Sequence, residues 1–334
     1  MKQKPQGNPP VSVELPGRPL IRGIEKPVST LALGTAFYRL ADRQRWFELL
    51  DGFRRLGGTV VDSGRSYGDS EAVIGEWLET RRVRADIVLV TKCGHGDALL
   101  PAEDFEQVVD RELEESLRCL RTERIDLYML HRDNPEVPVG RILERLNREL
   151  ERGRVSALGA SNWTYQRVRE ANGYAVRHGL TGFAVVSNNL SLAVPSAPFY
   201  PRLVSTDAAG EKWHAATGTP LLSWSSQARG FFTGRYGIGM KKADGEVPDP
   251  FHTRMTEVYG TADNRERLRR AKRLGESLGG YSAVQIALAW LLHKPFPVIP
   301  VVGPHTPEEL RSCVAAAGIR LTRAQCRRLS LEPG

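Results

Sequence analysis

The stretch that decides the fold runs from Gly57 to Glu71 and reads G-G-T-V-V-D-S-G-R-S-Y-G-D-S-E. The run Thr59 to Val61 follows a glycine pair, and this pattern predicts a buried β-strand that begins after a helix C-terminus. Asp62 then lies at the strand exit and Tyr67 in the loop before the next helix. A carboxylate at a strand end with a phenol in the following loop is typical of the catalytic face of an α/β barrel.

Two further apolar runs end abruptly in a polar residue. Ile87 to Thr91 leads directly into Lys92, and Ile125 to Leu130 leads directly into His131. Parallel strands are buried on both faces and read as continuous apolar runs, and the C-terminal ends of barrel strands carry the functional side chains. We therefore expect Lys92 and His131 at the same barrel face as the carboxylate and the phenol.

The order of these four residues resembles the catalytic tetrad of the aldo-keto reductases. The matching segments are D-S-x-x-x-Y-G-x-S-E from Asp62, V-T-K ending at Lys92, D-L-Y-x-L-H ending at His131, G-A-S-N-W, and W-S-x-x-A-R-G-F-F-T-G-R-Y from Trp224. They span nearly the whole chain in the family's order. The resemblance implies a (β/α)8 TIM barrel with an N-terminal β-hairpin and long βα loops at the C-terminal face. It also implies reduction of an aldehyde or ketone to an alcohol by hydride transfer from a nicotinamide cofactor.

The implied chemistry agrees with the residue types. Carbonyl reduction puts negative charge on the substrate oxygen, so a proton donor and a fixed positive charge are needed beside it. By resemblance, Tyr67 is the general acid, Lys92 stabilises its phenolate form, and Asp62 keeps that ammonium charged. A free tyrosine has a pKa of about 10 and needs such help at neutral pH. His131 is expected to orient the carbonyl or to share the proton. In the alternative interpretation, the ion pair is structural, the tyrosine fills a loop, and the histidine is a core residue.

The same resemblance assigns residues to the cofactor. Ser161 and Asn162 are implied to hold the nicotinamide carboxamide, and Trp224 to stack on the nicotinamide ring. The remaining candidates are Gly34 and Thr35 after the first strand, Ser225, Gln227 and Arg229 in the pyrophosphate loop, and Gly303, His305, Thr306 and Arg311 after the last strand. The structural alternatives are a tight turn, a helix entry capped by Thr164, and a core tryptophan.

The chain departs from the family pattern at two strand exits. Ser187 stands where the family usually has a glutamine that binds the carboxamide, and Asn188 cannot replace it because neighbouring strand residues face opposite sides. The last strand is predicted to run from Val298 to Val302. At its exit, Val301 and Val302 stand where family members that bind the 2′-phosphate often carry a lysine-serine pair, and Glu309 stands where an arginine is expected. NADPH is therefore the default cofactor, with NADH or dual use as the alternative.

Length and composition agree with one domain over residues 1–334. The chain has 334 residues, a mass of 37.1 kDa and 41% hydrophobic residues, which suffices for one barrel, with residues 1–10 as a flexible tail. The alternation of residues 11–28 predicts the hairpin. Segment 235–264 contains glycine and proline and predicts a long loop that shapes the pocket or folds over the cofactor.

Composition also weighs against other classes of protein. The net charge of +8 raises nucleic-acid binding as an alternative, but the basic residues are scattered over helices and mixed with acidic ones. The four cysteines form no C-x-x-C pair, so neither a metal site nor a disulfide framework is indicated, and Cys93 is at most a reactive-thiol candidate. No 18-residue apolar run and no Rossmann or P-loop motif occurs. We expect a cytoplasmic protein without membrane association.

Two functional alternatives remain open. One is a cofactor-binding regulatory protein of the channel-subunit type, since the resembled family includes such members. The other is a sugar or alcohol dehydrogenase that works in the oxidising direction. The physiological small-molecule substrate, the oligomeric state and the role of segment 235–264 do not follow from the sequence.

Overall fold

A computed structural model of the protein describes residues 21–95, 104–236 and 249–332. In these ranges, eight parallel strands close into a barrel in chain order, because the last strand pairs with the first. The strands are β1 Ala32–Gly34, β2 Val60–Asp62, β3 Val88–Cys93, β4 Ile125–Leu130, β5 Val155–Ser161, β6 Val185–Ser187, β7 Leu221–Ser223 and β8 Val298–Val302. The predicted (β/α)8 barrel is confirmed.

Helices alternate with the strands and cover the outside of the barrel. They are α1 Arg43–Arg55, α2 Ser70–Arg81, α3 Phe105–Cys119, α4 Val139–Glu151, α5 Tyr165–Arg177, α6 Ala208–Thr217, α7 Pro250–Tyr259, α8 Ala262–Ser277, α9 Ala283–Leu292, α10 Pro307–Ala316 and α11 Arg323–Leu329. None of the helices in the described ranges combines the length and the apolar run that a membrane crossing requires.

Side chains alternate along each strand between two separate cores. The barrel interior holds one cluster, which includes Ala32, Val60, Val88, Val90, Leu127, Met129, Ala157, Val185, Leu222 and Ile299. The intervening residues, such as Leu33, Val61 and Tyr128, pack against the helices in a second and larger cluster. The position of a residue along its strand therefore decides whether its side chain points into the barrel.

The N-terminal end of the barrel is covered by the segment before β1. Ile21 and Ile24 belong to the interior cluster, and Lys26 donates hydrogen bonds to the Ile87 carbonyl at 2.8 Å and to Asp126 at 3.1 Å. Residues 11–20 of the predicted hairpin lie outside the described residues. Residues 21–28 carry no strand and begin with a turn closed by a 3.1 Å bond from the Ile24 amide to the carbonyl of Ile21.

The structure differs from the sequence prediction in the long segment 235–264. Its residues 237–248 lie outside the described residues, but α7 occupies Pro250–Tyr259 and α8 begins at Ala262. Asp249 accepts a hydrogen bond from the third residue of α7, and proline occupies the first turn, a combination that starts helices. The predicted loop is therefore wrong for the second half of the segment, where the D-P pair was a helix signal.

Candidate active site

Three of the four predicted catalytic residues continue the inward-facing series of their strands. Asp62, Lys92 and His131 each stand two positions after a residue of the interior cluster, namely Val60, Val90 and Met129. Side chains two residues apart lie on the same face of a strand. The carboxylate, the ammonium and the imidazole therefore face the barrel axis at its C-terminal mouth. Lys92 lies inside β3 rather than after it, one residue earlier than the strand end.

Lys92 and Asp62 form a buried ion pair. The Nζ atom lies 2.6 Å from Asp62 Oδ1 and 2.6 Å from the carbonyl oxygen of Ser63. Burial acts to lower the pKa of Lys92, but the charges of Asp62 and Tyr67 outweigh it and raise that pKa above its usual value. Burial raises the pKa of the Asp62 carboxyl, and the ammonium opposes this rise. The arrangement keeps the Lys92 ammonium charged and fixed at the mouth.

Tyr67 reaches this ammonium from the loop between β2 and α2. Lys92 Nζ lies 5.2 Å from the centroid of the Tyr67 ring, and each of the two groups shifts the pKa of the other. The ring also meets the His131 imidazole edge to face, with 5.5 Å between centroids. Burial raises the pKa of Tyr67 and outweighs the charge of Lys92, which acts to lower it, so the phenol remains protonated at neutral pH. The structure thus brings all four predicted residues together.

His131 is held in its neutral form. Burial, together with the charges of Lys92, His95 and Arg132, lowers its pKa well below the usual value. Its ring lies 4.5 Å from the ring of His95, which sequence reasoning did not select. The Nδ1 atom is buried and has no hydrogen-bond partner among the described residues. A neutral imidazole with an unused nitrogen can either accept or donate a hydrogen bond to a ligand.

A chain of hydroxyls supports the loop that carries Tyr67. Thr35 donates to the Asp62 carbonyl at 2.9 Å, its Oγ1 lies 2.5 Å from Ser70 Oγ, and Ser70 in turn lies 2.8 Å from Ser63 Oγ. The Thr35 hydroxyl, a predicted cofactor ligand, is thus bound to protein atoms. Sequence reasoning quoted both serines in the D-S-x-x-x-Y-G-x-S-E motif without assigning them a task.

The buried carboxylate of Glu71 ties the same loop to β3. It accepts a hydrogen bond from the Thr91 hydroxyl at 2.6 Å and forms an ion pair with Arg65, whose amide donates to the Lys92 carbonyl at 2.9 Å. Glu71 is fully buried. The final glutamate of the motif therefore positions the loop relative to the lysine strand, a role that sequence reasoning missed.

The predicted carboxamide residues lie together at the ends of β5 and β6. Ser161 donates to the Ser187 carbonyl at 3.0 Å, and the Asn162 amide group donates to the His131 carbonyl at 3.0 Å while its oxygen accepts from the Val204 amide. Asn162 adopts a left-handed backbone with φ of 59°. Thr164 caps α5, as the structural alternative predicted, without excluding a cofactor role for the Ser-Asn pair.

Ser187 and Trp224 complete this side of the mouth. The indole of Trp224 donates to the Ser187 carbonyl at 3.2 Å, and the ring is only partly buried. The Ser187 hydroxyl is buried and has no hydrogen-bond partner among the described residues, and the same is true of Asn188 Oδ1. The position where the family glutamine is missing thus carries an unsatisfied polar atom that fits a ligand amide.

Comparison with known proteins agrees with this geometry. A sequence model of the aldo/keto reductase family matches residues 30–330. The chain belongs to the aldo-keto reductase family. A norsolorinic acid reductase of Emericella nidulans is 30% identical over 315 residues, which cover 88% of this chain and 76% of that protein. An NADP(+) aryl-alcohol dehydrogenase of Phanerodontia chrysosporium is 26% identical over 300 residues, 85% of this chain and 74% of the relative.

A solved structure shows the same fold. A thermostable aldo-keto reductase in complex with the inhibitor epalrestat matches with a TM-score of 0.66 at 22% identity, over 91% of this chain and 95% of that one. As a member of the family, the protein is an NAD(P)H-dependent carbonyl reductase, and the predicted family resemblance is confirmed.

In this aldo-keto reductase, the candidate residues for the adenosine end of the cofactor lie after β8. Thr306 caps α10, whose first residue is Pro307, and Glu309 accepts a hydrogen bond from the His305 amide at 2.7 Å. Arg311 is exposed and pairs with Glu308. Gly303 is exposed with open space around its Cα. The first turn of this helix therefore carries two carboxylates.

Arg45 is a further cation at the β8 exit that no sequence motif indicated. Its guanidinium donates to the His305 carbonyl through Nη2 at 2.7 Å and through Nε at 3.1 Å. The His305 ring lies 5.2 Å from the ring of Phe37, which is exposed. Arg45 comes from α1, so only the closure of the barrel, with α1 beside α10, brings it here.

Three other predicted residues have protein contacts of their own in this aldo-keto reductase. A Cβ at Gly34 would lie 2.8 Å from a methyl of Val301, so close strand packing already requires the glycine. Ser225 has a left-handed backbone with φ of 49°. The Gln227 amide lies 3.3 Å from Cys313 Sγ. These contacts neither require nor exclude a bound cofactor.

The described residues also bear on the candidate thiol Cys93 and on metal binding. Cys93 is buried, and burial raises the pKa of its thiol to about 12, so it is not a reactive thiolate. Among the described residues of this aldo-keto reductase, no group of three or more histidine, cysteine, aspartate or glutamate side chains could hold a metal ion.

Proposed function

We propose that this aldo-keto reductase reduces aldehydes or ketones to alcohols with Tyr67 as the general acid. The observation that carries the proposal is the position of the Tyr67 ring, 5.2 Å from the buried Lys92 ammonium and 5.5 Å from the ring of His131. A protonated donor next to a fixed charge is what a carbonyl oxygen needs as it becomes an alkoxide.

The protonation states of the three side chains suit reduction. Burial keeps the Tyr67 phenol protonated before the reaction, and Lys92 stabilises the phenolate once the proton has moved to the substrate oxygen. Asp62 holds the lysine charged and in place. His131, being neutral, carries no positive charge of its own and orients the carbonyl through a hydrogen bond.

The residues at the β5, β6 and β7 ends fit a nicotinamide cofactor. When bound, this cofactor supplies the hydride that the side chains cannot provide. Ser161, Asn162 and the unsatisfied Ser187 hydroxyl are the proposed partners of its carboxamide, and Trp224 is the proposed stacking partner of its ring. NADPH is the proposed default, which the name of the NADP(+) aryl-alcohol dehydrogenase supports; the acidic first turn of α10 makes NADH or dual use the alternative.

The variant Tyr67→Phe tests the proposal. We expect at least a thousandfold lower kcat for a small aldehyde such as benzaldehyde, with NADPH binding within about threefold of wild type. Tyr38→Phe is the matched control, since the Tyr38 hydroxyl is also buried but has no hydrogen-bond partner among the described residues. Wild-type turnover in Tyr67→Phe would exclude Tyr67 as the acid.

The direction of the reaction is measured with the same preparation. The aryl-alcohol dehydrogenase relative is named for the oxidation of an alcohol. Proton transfer through Tyr67 is reversible, so both directions should depend on the same residue. We propose reduction as the favoured direction near neutral pH, because the phenol is then protonated and ready to donate.

A further inference from the structure

The loop after β7 places a guanidinium without an anionic partner near the catalytic residues. The Cζ atom of Arg229 lies 4.4 Å from the ring centroid of Phe199 and 5.4 Å from that of Tyr200. Its Nε atom is buried and has no hydrogen-bond partner among the described residues. Within the described ranges, no carboxylate forms an ion pair with it. The two rings hold the group but do not neutralise its charge.

The backbone sets the direction of this side chain. Ala228 and Arg229 have φ angles of 48° and 52°, and Gly230 follows with 87°. The left-handed region is unfavourable for residues other than glycine and clusters at functional sites. Ser226 anchors the loop by donating to the Val301 carbonyl at 2.6 Å. The strained turn therefore fixes the arginine against the Phe199 segment.

Several ionisable groups act on the pKa of Arg229, and Tyr67 is one of them. Burial lowers the pKa of this guanidinium, and the groups that oppose the effect are the phenols of Tyr259, Tyr200 and Tyr67. Arg229 lies in the segment that follows β7, and the C-terminal ends of all the parallel strands meet at the mouth that holds the general acid, so the cation lies at the same mouth. The positive charge of Arg132 acts to lower the pKa of Tyr67. A desolvated cation is costly unless an anion accompanies it, so the mouth is suited to a negatively charged ligand.

Arg254 also lies near Phe199, but its guanidinium, unlike that of Arg229, has hydrogen-bond partners among the described residues. Its guanidinium lies 6.0 Å from the Phe199 ring. It donates to the Phe199 carbonyl at 3.0 Å and to the Pro198 carbonyl at 2.6 Å, and it pairs with Glu257 at 3.0 Å. The donors of Arg254 thus hold the loop, whereas Arg229 makes no such bond among the described residues.

We propose that Arg229 is a specificity-determining residue that binds a carboxylate of the substrate, so that the preferred substrates are aldehydes or ketones carrying a negative charge. The inference rests on the proposed function, because it places the substrate carbonyl at Tyr67. Guanidinium binds carboxylate through two parallel N–H···O bonds, and the rings of Phe199 and Tyr200 flank an aromatic or aliphatic body. A phosphate of the cofactor has the same chemistry, so the test separates the two sources.

The first measurement uses two substrates of similar shape, 4-carboxybenzaldehyde and the neutral 4-formylbenzamide. We expect wild-type kcat/KM to favour the carboxylate by about tenfold or more, and the ratio of the two values to fall about 10- to 100-fold in Arg229→Gln. Arg254→Gln is the control and should leave the ratio unchanged. An unchanged ratio in Arg229→Gln would overturn the proposal.

The second measurement does not need turnover. Titration calorimetry with benzoate should show binding to the wild-type protein and about tenfold or weaker binding to Arg229→Gln, with benzamide as the neutral probe. If the variant instead weakens NADPH binding tenfold and leaves benzoate binding unchanged, Arg229 belongs to the cofactor phosphates and the proposal is wrong. Benzoate binding through Arg229 in a protein that reduces neither aldehyde would support the subsite and reject the proposed function.

Discussion

The ammonium of Lys92 lies 2.6 Å from the carboxylate of Asp62, on the neighbouring strand of the barrel. Both side chains are almost fully buried, and the lysine also donates to the Ser63 carbonyl and lies 5.2 Å from the centroid of the Tyr67 ring. Breaking a buried ion pair leaves an uncompensated charge, whereas the intact pair adds little net stability. Loss of the Lys92 charge should therefore affect both catalysis and stability, and the two effects can be measured separately.

Lys92→Met should lower kcat for aldehyde reduction at least a hundredfold, because the phenolate of Tyr67 loses its stabilising charge. It should also lower the free energy of unfolding by about 3 kcal/mol, since Asp62 becomes a buried carboxylate without a cation. Urea unfolding and steady-state kinetics measure the two effects.

The double variant Asp62→Asn/Lys92→Met separates these two effects. Removing both charges should restore about half or more of the lost stability but none of the activity. Equal destabilisation in the single and the double variant would contradict the importance of the buried charge.

Glu71→Gln should reduce kcat about 10- to 100-fold with a smaller effect on stability. The amide retains the bond to Thr91 but loses the charge that holds Arg65, so the loop carrying Tyr67 is no longer fixed relative to Lys92. Glu115→Gln is the control, because it removes a 3.7 Å contact of the same arginine with a more exposed carboxylate. Loss of kcat in both variants would point to Arg65 rather than to the buried glutamate.

Stability should fall as the pH drops below about 6.5, the value at which an unfolded histidine takes up a proton. His131 and His214 are buried with lowered pKa values, so the folded state stays neutral while the unfolded state binds protons. Each contributes a slope of up to about 1.4 kcal/mol per pH unit between its folded and unfolded pKa. His131→Gln should flatten the pH dependence of the free energy of unfolding between pH 7 and 5. A slope as steep as that of wild type would show that His131 is charged in the folded protein.

Much of the barrel could be predicted from the sequence because its strands are continuous apolar runs between glycine-marked turns. β4 and β8 have the predicted bounds, Ile125–Leu130 and Val298–Val302. The end of β3 was misjudged because a polar residue at the barrel mouth, such as Lys92, can belong to the strand that carries it. α7 was missed because glycine and proline were taken as loop signals without regard to the Asp249 cap.

The four catalytic candidates were predictable because each lies at the end of an apolar run in the sequence or in the short loop after one. The contacts that support them were not, because they join distant segments. Glu71 in α2 contacts Thr91 in β3, 20 residues further along the chain, and Arg45 contacts His305 only when the barrel closes. The position of Arg229 depends on left-handed backbone angles that its residue type does not indicate. Residues that become neighbours only in the folded structure, unlike residues at strand ends, produce no recognisable pattern in a single sequence.

Cofactor preference should respond to Glu309. The Glu309 carboxylate accepts a hydrogen bond from the His305 amide at the start of α10. A 2′-phosphate bound there would be repelled by this negative charge. Glu309→Gln should raise the ratio of kcat/KM for NADPH to that for NADH by about threefold or more, and the increase should shrink in high salt. Glu332→Gln, in the turn after α11, is the control for a general change of charge. A ratio unaffected by Glu309→Gln would place the adenosine phosphate elsewhere.

Two helical glycines should respond with opposite sign to the same substitution. A Cβ at Gly75 in α2 would overlap the carbonyl oxygen of Cys119, so Gly75→Ala should lower the free energy of unfolding by about 1–3 kcal/mol. A Cβ at Gly173 in α5 would meet only the tip of Arg177 at 3.4 Å, so Gly173→Ala should raise it by about 0.5–1 kcal/mol through the helix preference of alanine. Urea unfolding of both variants measures the difference. Stabilisation by Gly75→Ala would mean that α2 and the end of α3 are not in contact, and the loop of Tyr67, which leads into α2, would then be oriented differently.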